Sequence, residues 1–65
     1  MRMRNLEISR NGMLKIDTIE LPSSCVIILS DGVAKLTELP AHAEIRIITH
    51  QGKVKRVRWD EGEEF

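Results

Sequence analysis

The chain has 65 residues, one cysteine, two histidines and ten basic against ten acidic side chains. A chain of this length forms one domain and buries only about 60% of the surface that it exposes when unfolded. A single cysteine excludes an internal disulfide, and the histidines and the cysteine lack a metal-ligand spacing. Zero net charge argues against a general polyanion binder. A domain this small usually needs a disulfide, a metal or a partner chain for its stability. Because the first two are excluded, we expect a homo-oligomer without metal or cofactor.

The N-terminal residues Met1–Arg4 are not followed by an apolar run, so we expect no signal peptide. The longest apolar run has five residues, which is too short to cross a membrane. These features predict a cytoplasmic protein with no membrane partner.

Three glycine turns organise the chain: Asn11-Gly12, Asp31-Gly32 and Gln51-Gly52, which lie twenty residues apart. Asn-Gly and Asp-Gly favour two-residue type I′ turns, because both central positions of that turn need positive φ. Each turn lies between segments rich in β-branched residues. The spacing predicts three consecutive hairpins.

Six short strands are predicted, over about residues 3–9, 13–20, 25–30, 33–38, 44–50 and 53–59. The chain leaves the sheet at Leu21-Pro22 and Leu39-Pro40, because proline cannot donate to a central ladder. The predicted fold is all-β, with the three hairpins forming a small barrel or a bent antiparallel meander. Residues 1–59 are the predicted β domain, and residues 60–65 an acidic C-terminal tail.

The uncharged segment Cys25–Leu29 is expected to be the central strand, buried on both faces. Cys25 lies among apolar neighbours, which favours a core side chain over a reactive thiol.

The last predicted strand is basic, with the sequence Lys53-Val54-Lys55-Arg56-Val57-Arg58-Trp59. Val54 belongs to one alternation register, while Val57 and Trp59 belong to the other. A β-bulge at Lys55-Arg56 would bring all three apolar side chains to the core side.

This strand is the candidate site for nucleic acid or an anionic ligand. Its cations could neutralise phosphates and Trp59 could stack a base, with Arg2, Arg4 or Arg46 enlarging the patch. The alternative is that the charges protect an edge strand and Trp59 belongs to the core. The candidate binding residues are Lys53, Lys55, Arg56, Arg58, Trp59 and His50.

His42 and His50 have no nucleophile or positioned partner at a catalytic spacing, and loop positions explain both. We predict no catalytic residue and no enzyme.

The segments Ser24–Leu29, Ala34–Pro40 and Thr49–Val54 resemble the XtrA/YqaO family of short proteins from phage-like elements of bacilli. The resemblance implies a phage or prophage origin and action in the bacterial cytoplasm. It implies no activity, so no functional residue is transferred.

Three functions follow as hypotheses. The first is a non-enzymatic accessory protein that oligomerises and binds a host or phage protein. The second is nucleic-acid binding through residues 53–59, and the third is an oligomer that sequesters an anionic nucleotide signal of the host.

Overall fold

The computed structural model describes residues 3–61, which contain five β-strands and no helix. The strands are β1 (Met3–Leu6), β2 (Cys25–Ser30), β3 (Val33–Glu38), β4 (Glu44–His50) and β5 (Lys53–Asp60). The all-β class is confirmed, whereas the prediction of six strands is wrong. β5 includes Asp60, the first residue of the predicted acidic tail, and residues 62–65 of that tail lie outside the described range.

Two antiparallel sheets replace the predicted barrel or meander. One sheet has three strands in the order β1-β3-β2, and the other is the β4-β5 hairpin. β1 pairs with β3 from Met3↔Thr37 to Leu6↔Ala34, so β3 is the central strand. β2 therefore lies at an edge, and the expectation that Cys25–Leu29 is a central strand buried on both faces is wrong. Leu29 is 67% exposed.

The second and third glycine turns form as predicted. Asp31 and Gly32 have φ of 50° and 77°, and Gln51 and Gly52 have φ of 54° and 78°. Both loops have two residues, because Ser30 pairs with Val33 and His50 with Lys53. Positive φ at both central positions is the type I′ geometry that matches the twist of a hairpin.

The first predicted hairpin does not form, because residues 13–20 contain no strand. Around Gly12, the chain turns with a single β-bridge between Ile8 and Leu14. Farther along, the Asp17 carboxylate accepts a hydrogen bond from the backbone N–H of Ile19 at 3.0 Å, and the Asp17 carbonyl accepts one from Glu20 at 3.1 Å. Such an Asx turn competes with strand pairing and diverts the chain. Two hairpins remain of the predicted three.

The core within residues 3–61 is small and belongs to β3. Ala34, Leu36 and Thr37 are the only residues in that range with 3% exposure or less. Seven large apolar side chains are exposed, namely Met13, Ile16, Ile19, Leu29, Val33, Leu39 and Ile47. The described part of the chain therefore leaves seven large apolar side chains outside its core.

Candidate anion-binding site

A β-bulge in β5 organises the candidate site. Ile48 pairs with Arg56 and the next residue of β4, Thr49, pairs with Val54, so Lys55 has no partner across the ladder. The bulge lies where the sequence predicts it. At a bulge, two neighbouring side chains oppose one residue of the other strand, which interrupts the alternation of faces.

The bulge brings the apolar side chains of β5 to one side of the hairpin. Val54, Val57 and Trp59 are half-buried, and they pair with Thr49, Ile47 and Ile45. We call this side the apolar face. Without the bulge, strict alternation would separate Val54 from Val57 and Trp59.

The opposite side of the hairpin collects positive charge. We call it the basic face and define it by its exposed members Arg46, His50, Lys53, Lys55, Arg56 and Arg58. Strict alternation would have placed Lys53 and Lys55 on one side and Arg56 and Arg58 on the other. The same bulge therefore determines both the apolar contact and the concentration of cations.

Like charges are juxtaposed on the basic face. Arg46 lies directly opposite Arg58 in the ladder, an arrangement that destabilises a strand pair. The Arg46 guanidinium forms an ion pair with Glu44 at 3.3 Å, and both side chains are exposed. Within residues 3–61, neither Arg56 nor Arg58 has a carboxylate ion-pair partner. This uncompensated charge favours an anion at this position.

A groove of about 300 Å³ lies where β5 meets the three-stranded sheet. Its floor is apolar, with Met3, Ile28, Val33, Val54 and Val57 among the lining residues. The lining cations are Lys35, Lys53, Lys55 and Arg56. An apolar floor with a cationic rim suits an anion that carries an apolar or planar body.

The groove is held together by two contacts between the sheets. The Ser30 hydroxyl accepts a hydrogen bond from the Val54 backbone N–H at 2.9 Å. The Lys53 ammonium forms an ion pair with the Asp31 carboxylate at 3.4 Å. Both contacts join the end of the β2–β3 hairpin to the start of β5, at one end of the groove.

The predicted site residues divide into two groups. His50, Lys53, Lys55, Arg56 and Arg58 lie together on the basic face, whereas Trp59 lies on the apolar face opposite Ile45. A phosphate on the basic face and a base stacked on Trp59 would therefore be on different sides of the hairpin.

Of the further arginines considered, Arg46 joins the basic face and Arg4 lies in the other sheet, in β1. Arg2 is outside the described residues. Sequence reasoning missed Lys35 of β3, a half-buried cation in the groove. Alternation places Lys35 on the side of β3 away from Ala34 and Leu36, but nothing in the sequence indicates that β5 approaches this side.

His42 and His50 are both exposed, and the prediction of loop positions is confirmed for His42 but wrong for His50, which is the last residue of β4. Among residues 3–61, no cluster of three or more His, Cys, Asp or Glu side chains is arranged to hold a metal ion. In the same range, no helix has the length and apolar character needed to cross a membrane.

The fold and the basic face define a small all-β protein with cations concentrated on one side of its β4–β5 hairpin. Over residues 1–65 the chain matches the family described as phage-like element PBSX protein XtrA, and it belongs to that family. The family resemblance in the sequence is thereby confirmed. Neither a curated protein nor a solved structure matches the chain.

Proposed function

We propose that this chain is a non-enzymatic accessory protein encoded by a phage or prophage, which acts as a homo-oligomer in the bacterial cytoplasm and binds a host or phage protein. One observation carries the proposal: three residues of β3 are buried, while seven large apolar side chains within residues 3–61 are exposed. A partner that covers these side chains would supply the apolar burial that so small a domain lacks by itself. Membership of a phage-like element family supports the origin.

The surface area supports the same proposal. The full chain exposes 5959 Å², against about 4,200 Å² for a compact folded monomer of this mass. The six residues outside the described range account for about 1,000 Å² at most, since an unfolded chain exposes about 1.45 Å² per dalton. The remaining excess is on the order of 800 Å², about what one partner buries in a standard interface.

Native mass spectrometry over a range of micromolar concentrations tests the self-association. We expect a defined oligomer that dissociates on dilution. A monodisperse, folded monomer throughout that range would contradict the proposal. For the protein partner, the tagged chain is purified from phage-element-bearing bacteria, with the Leu36→Ala variant as a core-disrupted control. If no protein is recovered with the wild-type chain that is absent from the Leu36→Ala control, the proposed binding of a host or phage protein is contradicted.

A second candidate function is the binding of a phosphate-bearing ligand, and the basic face is the observation that favours it. Arg56 and Arg58 have no ion-pair partner within residues 3–61, and the bulge adds Lys55 beside them. Nucleic acid offers closely spaced phosphates along one strand, and neighbouring cations on one face can neutralise several of them together. Asp60 and Glu44 at the far end of the face limit its length.

The test compares two triple variants with the same net charge. One replaces Lys55, Arg56 and Arg58 by alanine on the basic face. The control replaces Arg4, Arg10 and Lys15, three exposed cations outside it. If the face binds single-stranded DNA or RNA, the first variant loses binding and the slope of log affinity against log salt falls by about 2, while the control retains both. Equal effects would contradict a specific role of this face.

The groove supports a phosphate-bearing ligand smaller than nucleic acid, namely a nucleotide of the host. Its apolar floor would contact a base or sugar, and Lys35 and Arg56 would meet the phosphates. Native mass spectrometry of protein recovered from bacteria would reveal a retained nucleotide as a discrete mass increment. A Lys35→Ala variant should lose that increment yet keep binding to long nucleic acid, because Lys35 lies off the basic face.

A further inference from the structure

Strand β2 is an unprotected sheet edge. It spans six residues, Cys25–Ser30, none of which is charged or proline. Its register with β3 is continuous from Cys25↔Glu38 to Ser30↔Val33, so no bulge twists the edge away. Edge strands normally carry charges, proline or bulges because an unpaired ladder recruits other strands. β2 has none of these features.

The hydrogen-bond pattern shows which backbone groups face outward. The Leu39 N–H donates to the Ser24 carbonyl at 2.9 Å, which makes Ser24↔Leu39 a hydrogen-bonded pair of the hairpin. Hydrogen-bonded and non-hydrogen-bonded pairs alternate along an antiparallel ladder. The N–H and C=O groups of Cys25, Ile27 and Leu29 therefore point away from β3. Within residues 3–61 these outward groups have no hydrogen-bond partner.

The other edges are less suited to pairing. β1 has four residues and includes Arg4, and β4 includes Glu44 and Arg46. β5 carries the bulge and five charged residues, and its outward Val54 N–H is already bonded to Ser30. Charged residues and bulges at these edges oppose the approach of another strand.

We propose that β2 pairs antiparallel with β2 of a second copy, across a two-fold axis that passes between the two Ile27 residues. The proposal rests on the homo-oligomer proposed above and identifies its interface. In this register Ile27 is opposite Ile27 of the second copy, and Cys25 is opposite Leu29 of the second copy. Every outward N–H and C=O group from Cys25 to Leu29 then has a partner. The two three-stranded sheets become one six-stranded sheet.

The second copy is favoured as occupant because β2 complements itself. A two-fold interface uses the same surface on both subunits, so an uncharged strand meets an uncharged strand. Cys25, Ile27 and Leu29 lie on one side of the sheet, because side chains alternate along a strand. Pairing brings Leu29, which is 67% exposed, next to apolar side chains of the second copy.

Disulfide trapping with two single-thiol proteins tests the register. One protein is the wild type, in which Cys25 is the only thiol. The other carries Cys25→Ser together with Leu29→Cys. Directly opposed residues have Cα atoms about 5.5 Å apart, within disulfide range, whereas equivalent positions of the two copies would be about 14–15 Å apart. We therefore expect a covalent dimer in the mixture and little in either protein alone.

A matched pair of variants tests the interface itself. Leu29→Lys places a charge at the β2 edge, and Ile19→Lys places the same charge on a side chain that is 92% exposed outside the strands. Both positions are exposed, so both variants should keep the monomer fold, which circular dichroism verifies. We expect Leu29→Lys to raise the dimer dissociation constant by about tenfold or more and Ile19→Lys to leave it unchanged.

The outcomes separate this inference from the proposed function. If the wild type is a monomer, the proposed homo-oligomer and the β2 interface are both refuted. If the wild type is an oligomer but Leu29→Lys does not weaken it, the β2 interface alone is refuted. Covalent dimers that form equally in each single-thiol protein and in the mixture would refute the register centred on Ile27.

Discussion

Because of the bulge at Lys55, we expect different effects on stability from two single-residue deletions that each remove one positive charge. Lys55 is the residue of β5 without a ladder partner, so its deletion joins Val54 directly to Arg56. Every pair of the β4–β5 ladder is then retained, and each side chain stays on its present face. Deletion of Arg58 also removes one cation, but it moves Trp59 into the position opposite Arg46, on the basic face.

The cost of each deletion follows from burial. Trp59 is half-buried on the apolar face. A fully buried indole removes up to about 250 Å² from water, so half burial removes roughly 125 Å², which is worth about 3 kcal/mol at 25 cal/mol per Å². A domain of this size has a free energy of unfolding of about 3–10 kcal/mol. Deletion of Arg58 should therefore lower that free energy by about 3 kcal/mol, while deletion of Lys55 should change it by about 1 kcal/mol or less.

Urea unfolding followed by tryptophan fluorescence measures both effects, because Trp59 is the only tryptophan. The two variants and the wild type are compared at one protein concentration, so that self-association contributes equally. The Lys55 deletion should keep the wild-type emission maximum, and the Arg58 deletion should shift it toward that of the unfolded chain. Equal losses in the two variants, or an unfolded Lys55 deletion, would refute the role assigned to the bulge.

Three further predictions concern single substitutions. Leu36→Ala, at a core residue that is 3% exposed, should lower the free energy of unfolding by about 2–5 kcal/mol in urea titration. Met13→Ala, at a side chain 63% exposed, is its control and should change that energy by about 0.5 kcal/mol or less. Ser30→Ala removes the acceptor for the Val54 N–H and should cost about 1 kcal/mol; unchanged amide exchange at Val54 would contradict this. Gly32→Ala places its new methyl group in open space, so only the φ of 77° disfavours the substitution. The free energy of unfolding in urea should therefore fall by about 1–2 kcal/mol. A much larger loss would contradict this explanation.

Much of the local structure could be predicted from the sequence because it depends on neighbouring residues. Asp31-Gly32 and Gln51-Gly52 form their turns through the φ preferences of two adjacent residues. The bulge follows from a phase change between Val54 and Val57 within one strand. The wrong prediction of a strand over residues 13–20 also has a local origin. The Asp17 carboxylate accepts a hydrogen bond from the Ile19 N–H, which the alternation of apolar residues does not reveal.

The strand order was decided only by the tertiary structure. β1 pairs with β3, a partner about thirty residues away in sequence, and this pairing moves β2 from the predicted centre of the sheet to its edge. Composition identifies Cys25–Leu29 as the most strand-prone segment but not the number of strands beside it. The tertiary structure also brings Lys35 to the groove and separates Trp59 from the basic face.

The sequence by itself therefore determined the all-β class, two hairpins and the bulge, because turn chemistry and side-chain alternation act over a few residues. The arrangement of the three-stranded sheet, and with it the open edge of β2, depends on which distant strand pairs with the free edge of β3. That choice is a competition between long-range pairings, in which β1 takes one side of β3 and the β2–β3 turn keeps β2 on the other. The strand with the most apolar sequence is thereby left at the edge of its sheet.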